Sequence, residues 1–203
     1  MPFDEALNPY VAKVREHPLI SKEAVSIFDL FKEKKSIVDL GCGNGHFLQE
    51  RLLRELDLWG LGVERRFKRS FKTAEKLEKT RARVAQMDVL QFLQSSPDSY
   101  WDEVWLQFPD PWPKLRHEKN RMVSQTFIAE IHRIVKPGGR FCFRSDCRAY
   151  WEFLQMENIR TNRFPVEKSQ KGNLFEDMPK TLYQKKFERL GIGIYSLEWR
   201  RLK

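Results

Sequence analysis

The sequence predicts a layered α/β fold built from parallel βαβ units. Three observations carry that expectation. Short apolar segments alternate with stretches of helical period along most of the chain, and strands alternating with helices form parallel sheets covered on both faces. The first central strand runs directly into a glycine loop, Gly41-Cys42-Gly43-Asn44-Gly45, that opens a helix. The length, 203 residues, suits one such domain with little left over.

The elements follow in order. Ser21 is placed to cap a helix whose apolar positions are Val25, Phe28 and Phe31. Ser36-Ile37-Val38-Asp39-Leu40 reads as a short buried strand, and Phe47, Leu48, Leu52 and Leu56 mark the helix beyond the glycine loop. Trp59 to Glu64 is a second strand, followed by a basic helix to about Lys79. Arg83 to Met87 and Trp101 to Phe108 are the third and fourth strands. Phe127, Ile128, Ile131, Ile134 and Val135 describe a helix that stops at the turn signal Pro137-Gly138-Gly139. Arg140 to Ser145 is a fifth strand, Tyr150 to Met156 is helical, and residues 158–178, without a clear period, read mostly as loop. Pro179 to Leu190 forms one more helix, and Ile192 to Arg201 closes with strand-like alternation. A single domain is expected over 1–203. Within it Asn8-Pro9 and His17-Pro18 suggest an extended or irregular arm over residues 1–20, flexible until a partner orders it.

Composition narrows the function. No run of eighteen apolar residues occurs, so no membrane span is expected. The first residues, MPFDEALNPY, lack the apolar core of a signal peptide, so the expected location is cytoplasmic. Cys42, Cys142 and Cys147 are sparse and form no CxxC pair, which argues against a disulfide framework, a zinc site and any metal requirement. The net charge of +9 favours a polyanionic partner, because cations on phosphates release counterions. Lys114, Arg116, Lys119 and Arg121 form one basic cluster, and Lys180, Lys185, Lys186 and Arg189 a second. Either alone could be a solvated face.

The loop Asp39-Leu40-Gly41-Cys42-Gly43-Asn44-Gly45 has the spacing G-x-G-x-G, one residue tighter than a dinucleotide fingerprint. Glycines there let backbone amides approach a ligand. Glu64, ending the second strand, can accept both hydrogen bonds from a ribose diol. Asp88, ending the third, can accept from an adenine amino group, and Asp39 can receive an amino group directly or through water. Ligands in such sheets lie beyond the carboxyl ends of the strands, where these residues fall. This set resembles the class I S-adenosylmethionine-dependent methyltransferases over roughly residues 36–145. The resemblance implies a Rossmann-like sandwich with a mostly parallel seven-stranded sheet, helices on both faces and an antiparallel last strand. It also implies S-adenosyl-L-methionine as cofactor, held by Asp39, Gly41, Gly43, Gly45, Glu64, Asp88 and Asp110. Nicotinamide dinucleotide is the rival cofactor, disfavoured by the glycine spacing.

After the fourth strand comes Phe108-Pro109-Asp110-Pro111-Trp112-Pro113-Lys114, three prolines that stiffen a loop holding Asp110 and Lys114 in fixed relation. Trp112 offers either a broad apolar face or core packing. The motif FPDPWPK-x-RH-x-K, with Arg144-Ser145-Asp146 and Thr181-Leu182-Tyr183-Gln184-Lys185-Lys186-Phe187, is similar to the signatures of the tRNA (guanine-N7)-methyltransferases, the TrmB family. The family implies methylation of a guanosine in the tRNA variable loop. It places Asp110 in the catalytic region, Lys114 on the substrate, and Asp146 and Thr181 around the base. Arg116, Lys119 and Arg121 are inferred phosphate contacts. Gln184 stands where the family usually has Glu; an amide has one acceptor oxygen where a carboxylate has two, which bears on any guanine contact there. Guanine N7 carries a lone pair and no proton, so no general base is required. His117 is therefore read as structural or phosphate-binding, and His46 as helix surface. Two other readings stand beside this one: a class I methyltransferase with another acceptor, and a tRNA-binding protein without catalysis. A nicotinamide-dependent oxidoreductase is more distant. The expected assembly is a monomer or weak homodimer.

Overall fold

The computed structural model describes residues 8–21, 23–110, 122–164 and 166–202. In chain order the elements are α1 (Tyr10–Glu16), β1 (Ile20–Ser21), α2 (Ala24–Phe31), β2 (Ser36–Leu40), α3 (His46–Arg54), β3 (Trp59–Val63), α4 (Phe67–Leu77), β4 (Ala82–Ala85), α5 (Val89–Ser95), β5 (Trp101–Gln107), α6 (Gln125–Ile134), β6 (Val135–Ser145), α7 (Arg148–Thr161), β7 (Val166–Lys171), α8 (Leu182–Arg189) and β8 (Tyr195–Arg200). One sheet runs β1-β4-β3-β2-β5-β6-β8-β7. From β1 to β6 neighbouring strands are parallel; β8 lies antiparallel to both β6 and β7.

Strand alternation sorts side chains onto two faces, since successive residues of a strand point to opposite sides. Val38, Leu40, Leu61, Val63, Val104, Leu106, Phe141 and Phe143 join one core, with the aromatic residues Phe28, Phe31, Phe92, Trp101 and Trp199. The alternate residues Ile37, Val84, Trp105 and Cys142 join a second core, with Phe47, Leu48 and Leu52 of α3 and Ala74 and Leu77 of α4. All five residues of β2 are buried, as a strand covered on both faces requires.

Register brings the strand ends level. Leu40 is paired with Val63 and with Leu106, Val63 with Ala85, and Gln107 with Arg144. The loops leaving β2, β3, β4 and β5 therefore emerge at one edge of the sheet, and in the order β4, β3, β2, β5 across it.

The sequence expectations need four corrections. The sheet has eight strands rather than seven, and two of them, β1 and β7, were not read from the sequence: β1 is a two-residue strand added beside β4 at the sheet edge. β7 lies where loop was expected, because its sequence, VEKSQK, is a polar edge strand without an apolar period. Ser21 belongs to β1, and the N-cap position of α2 is Glu23; the Ser21 hydroxyl accepts from the Glu23 amide at 3.1 Å and donates to the Glu23 carbonyl at 2.8 Å. The arm is not irregular throughout: α1 buries Val11 and Val14 against Phe67 of α4, and Pro9, already helical in φ and ψ, precedes its first turn. Finally, Pro137-Gly138-Gly139 lies inside β6 rather than ending a helix in a free turn. Gly139 is needed there because a Cβ would meet the Asp102 carbonyl at 2.9 Å.

Candidate active site

The level strand ends open onto a cavity of about 770 Å³, within the roughly 300–1,000 Å³ of small-molecule sites. It is lined by Asp39 to Asn44, by Glu64 to Arg66, by Asp88, by Phe108 to Asp110, and by Thr181, Tyr183 and Lys186 at the start of α8. Two faces of chemistry meet in it: a carboxylate side over β4, β3 and β2, and an aromatic and basic side over β5 and α8.

The glycine loop is pinned before any ligand arrives. The Gly41 and Cys42 amides donate to the Val63 carbonyl at 2.8 and 3.1 Å, and the Thr73 hydroxyl of α4 donates to the Gly43 carbonyl at 2.7 Å. Gly41, Gly43 and Gly45 all have positive φ, 70°, 60° and 72°. Their surroundings differ. A Cβ on Gly41 or Gly43 would meet nothing within 4 Å, whereas on Gly45 it would meet Thr73 Cγ2 at 2.8 Å. Gly41 and Gly43 line the cavity and leave it space; Gly45 lets α3 close against α4 and does not line it.

Glu64 is buried at the rim, and one oxygen accepts from the Arg66 amide at 2.8 Å. Asp88 caps α5 through the Leu90 amide at 2.9 Å. Among the described residues, the second carboxylate oxygen of each accepts no hydrogen bond. Asp110 is exposed at the cavity, with its backbone carbonyl held by the Tyr150 hydroxyl at 3.0 Å.

Asp39 is nearly inaccessible, and burial pushes its carboxyl up to about 7, opposed by a hydrogen bond from Gln107 and the charge of Arg144 and reinforced by Glu64. Gln107 Nε2 donates to Asp39 Oδ1 at 3.5 Å while its Oε1 accepts from Arg144 Nη1 at 3.2 Å. Arg144 itself is fully buried among the rings of Phe47, Trp105 and Phe175. It also donates to the Phe175 and Pro179 carbonyls and to Gln184 Oε1, at 3.1, 3.0 and 3.0 Å. Burial lowers its pKa to about 10, leaving it a cation at neutral pH.

The sequence-predicted residues therefore separate. The structure brings Asp39, Gly41, Gly43, Glu64, Asp88, Asp110 and Thr181 to one cavity. Thr181 also caps α8 by accepting from the Gln184 amide at 3.0 Å. Asp146 sits half-buried after β6, outside the lining. Gln184 is fully buried and outside the lining too, its oxygen on Arg144 and its amide donating to Glu188 Oε1 at 3.0 Å. Lys114 and Arg116, with Trp112, His117, Lys119 and Arg121, lie outside the described residues. Among the described residues, no group of three or more His, Cys, Asp or Glu could hold a metal ion.

A family model described as "Putative methyltransferase" matches residues 33–197. A tRNA (guanine-N(7)-)-methyltransferase of Rhizobium etli is 33% identical over 171 residues, 81% of this chain and 74% of that protein. The chain belongs to the tRNA (guanine-N7)-methyltransferase family. Solved structures share its fold at low identity. The 16S rRNA (adenine(1408)-N(1))-methyltransferase of Catenulisporales acidiphilia superimposes with a TM-score of 0.59 at 14% identity, over 92% of this chain and 97% of that one. A Haemonchus contortus phosphoethanolamine N-methyltransferase, in complex with S-adenosyl-L-methionine, superimposes with a TM-score of 0.57 at 13% identity, over 89% of this chain and 52% of that one.

The structure adds to the site several residues to which the sequence reading gave no role: Gln107, Arg144 and Tyr183, the last two quoted only within family signatures, and the rim cations Arg65, Arg66 and Arg69. An arginine inside an otherwise apolar strand, Phe141-Cys142-Phe143-Arg144, was the available signal for Arg144, because a buried cation demands several acceptors. Gln107 had none beyond its place at a strand end.

Proposed function

We propose that this chain transfers a methyl group from S-adenosylmethionine to N7 of a guanosine in the tRNA variable loop, in the cytoplasm. The carrying observation is the single cavity that joins a glycine loop and three strand-end carboxylates to Asp110 and α8. The residues fit the cofactor. Gly41 and Gly43 leave open space over the loop backbone for the methionine part. Glu64 suits the ribose diol and Asp88 the adenine edge, on adjacent strand ends. Asp39, the deepest carboxylate, suits the α-amino group.

S-adenosylmethionine bound there would supply an activated methyl on its sulfonium to the lone pair of guanine N7, with the carbon–sulfur electron pair returning to sulfur and the positive charge passing to the base. No side chain has to remove a proton. The work of the protein is alignment and electrostatics. Asp110, an exposed carboxylate lining the cavity after β5 with its backbone held by Tyr150, is the group suited to stabilise that charge. Lys186 at the cavity and the rim arginines Arg65, Arg66 and Arg69 suit the phosphates flanking the base.

Incubation with labelled S-adenosylmethionine and bulk tRNA, followed by nucleoside digestion, tests the reaction. The expected product is 7-methylguanosine, mapped to the variable loop and abolished or lowered at least 100-fold by Asp110→Ala. Cofactor binding by calorimetry without any labelled tRNA would overturn the assignment and point to another methyl acceptor.

A further inference from the structure

The aromatic side of the cavity has not been assigned a task. Tyr183, on the first turn of α8, lines the cavity and is half exposed. It is not a loose surface ring. Phe187, one turn on, stacks with it at 6.0 Å and 29°, and Phe108 lies 6.5 Å from Tyr183 and 5.5 Å from Phe187. Three rings thus back one another at the cavity wall. Phe108 holds a positive φ of 49°, a conformation that non-glycine residues seldom adopt. That conformation is fixed by the Phe108 amide donating to the Arg144 carbonyl at 2.7 Å. Leu182, beside Tyr183, is also half exposed in the same lining.

Topology says what such a wall would meet. The carboxylates suited to an adenosine stand over β4, β3 and β2, whereas Phe108 and Asp110 follow β5, on the far side of β2. A second planar group entering beside the cofactor comes to the Phe108–Tyr183 side. An exposed, backed aromatic ring binds a purine face, and its π-density also favours a ring that gains positive charge.

We propose that Tyr183, braced by Phe108 and Phe187, is the stacking platform for the acceptor guanine. This rests on the guanine-N7 reaction proposed above, and deepens it by naming the surface that orients the base. Stacking fixes the plane of the purine, so that N7 is turned toward the cofactor side instead of merely being near it.

The test uses the full chain and a tRNA carrying 2-aminopurine, which loses fluorescence on stacking, in place of the variable-loop guanosine. Wild type and Tyr183→Phe should quench the probe, and Tyr183→Leu should leave it bright. In methyl transfer to unlabelled tRNA, Tyr183→Leu should lower kcat/KM about 10- to 100-fold, the range that base–aromatic stacking spans. Tyr183→Phe should stay within about threefold of wild type. Cofactor affinity and melting temperature should be unchanged in both, because half the ring is already exposed. Quenching that persists in Tyr183→Leu, or a Leu variant that methylates within twofold of wild type, overturns the platform. Loss of cofactor affinity together with melting temperature also overturns it, since that marks a packing role. The two readings fail separately. Quenching that depends on Tyr183 without any 7-methylguanosine would overturn the reaction and leave the platform. 7-Methylguanosine with quenching indifferent to Tyr183 would do the reverse.

Discussion

Asp39 makes the most quantitative prediction. Its carboxyl lies buried at the end of β2, with Gln107 and Arg144 on one side and Glu64 on the other, and its pKa stands at about 7 in the free protein. A cationic α-amino group seated against it favours the carboxylate. Cofactor binding should therefore expel a proton wherever Asp39 is protonated beforehand. With a free pKa of about 7, the proton released per cofactor is about 0.9 at pH 6 and about 0.5 at pH 7, and the apparent Kd tightens about fivefold between them. The window ends near pH 7.5, where the amino group of the ligand begins to lose its own proton. His46, which also lines the cavity, has its pKa lowered by burial and by Lys76. Calorimetric titration at each pH, in buffers of different ionisation enthalpy, reads the proton directly. Asp39→Asn should bind more weakly, without proton release. The free protein carries the complementary sign. A carboxyl raised above its unfolded value contributes stability below about pH 4, and that contribution is lost as pH rises through 7, at about 1.4 kcal/mol per unit. Asp39→Asn should consequently melt higher than wild type at pH 8 and about level with it at pH 4. Release of less than about 0.2 proton at pH 6, or an Asn variant that melts lower at pH 8, would refute this account.

Further outcomes follow from the packing and the site. Gln184→Leu removes an acceptor from the buried Arg144 guanidinium and a donor from Glu188; at about 2–3 kcal/mol for a hydrogen bond to a charged group, differential scanning calorimetry should show a melting point lower by about 5–10 °C. Gly45→Ala should cost stability through its positive φ and the Thr73 contact, about 2–4 kcal/mol by denaturant titration. Gly43→Ala meets no such contact, so it should lose only about 1 kcal/mol while weakening cofactor affinity by at least tenfold in the same calorimetric assay. Asp88→Ala removes the cap on α5 and a candidate adenine partner together; a stability loss of about 1 kcal/mol should accompany weaker binding of the cofactor, whereas Asp88→Ser should restore the first without the second.

Much of the fold was legible because its signals are local. The apolar runs of β2, β3 and β5, the helical periods of α3 and α6 and the glycine loop each reflect interactions between residues near one another in the chain. Their alternation is enough to imply a parallel sheet, because parallel strands need crossovers. From that alone Asp39, Glu64 and Asp88 could be placed at strand ends. β7 was illegible for the opposite reason: its partner is β8, some thirty residues on, and an edge strand of polar residues announces no face of its own. The arm was misread because two prolines argue for irregularity, while the burial of Val11 and Val14 against Phe67 is tertiary.

The sequence by itself determined the alternation of the central strands and helices, the glycine loop, the strand-end carboxylates and the family signatures, because each is written in neighbouring residues. Only the tertiary structure decided which members of those motifs share a cavity. Tyr183 and Gln184 are consecutive, yet successive side chains on a helix point about 100° apart. Tyr183 consequently lines the cavity beside Thr181, and Gln184 turns inward to satisfy Arg144. A buried guanidinium must find acceptors wherever the fold brings them, and here they come from β5, from α8 and from the segment leading into it. That requirement is physical and non-local, and it assigned Gln184 to the core.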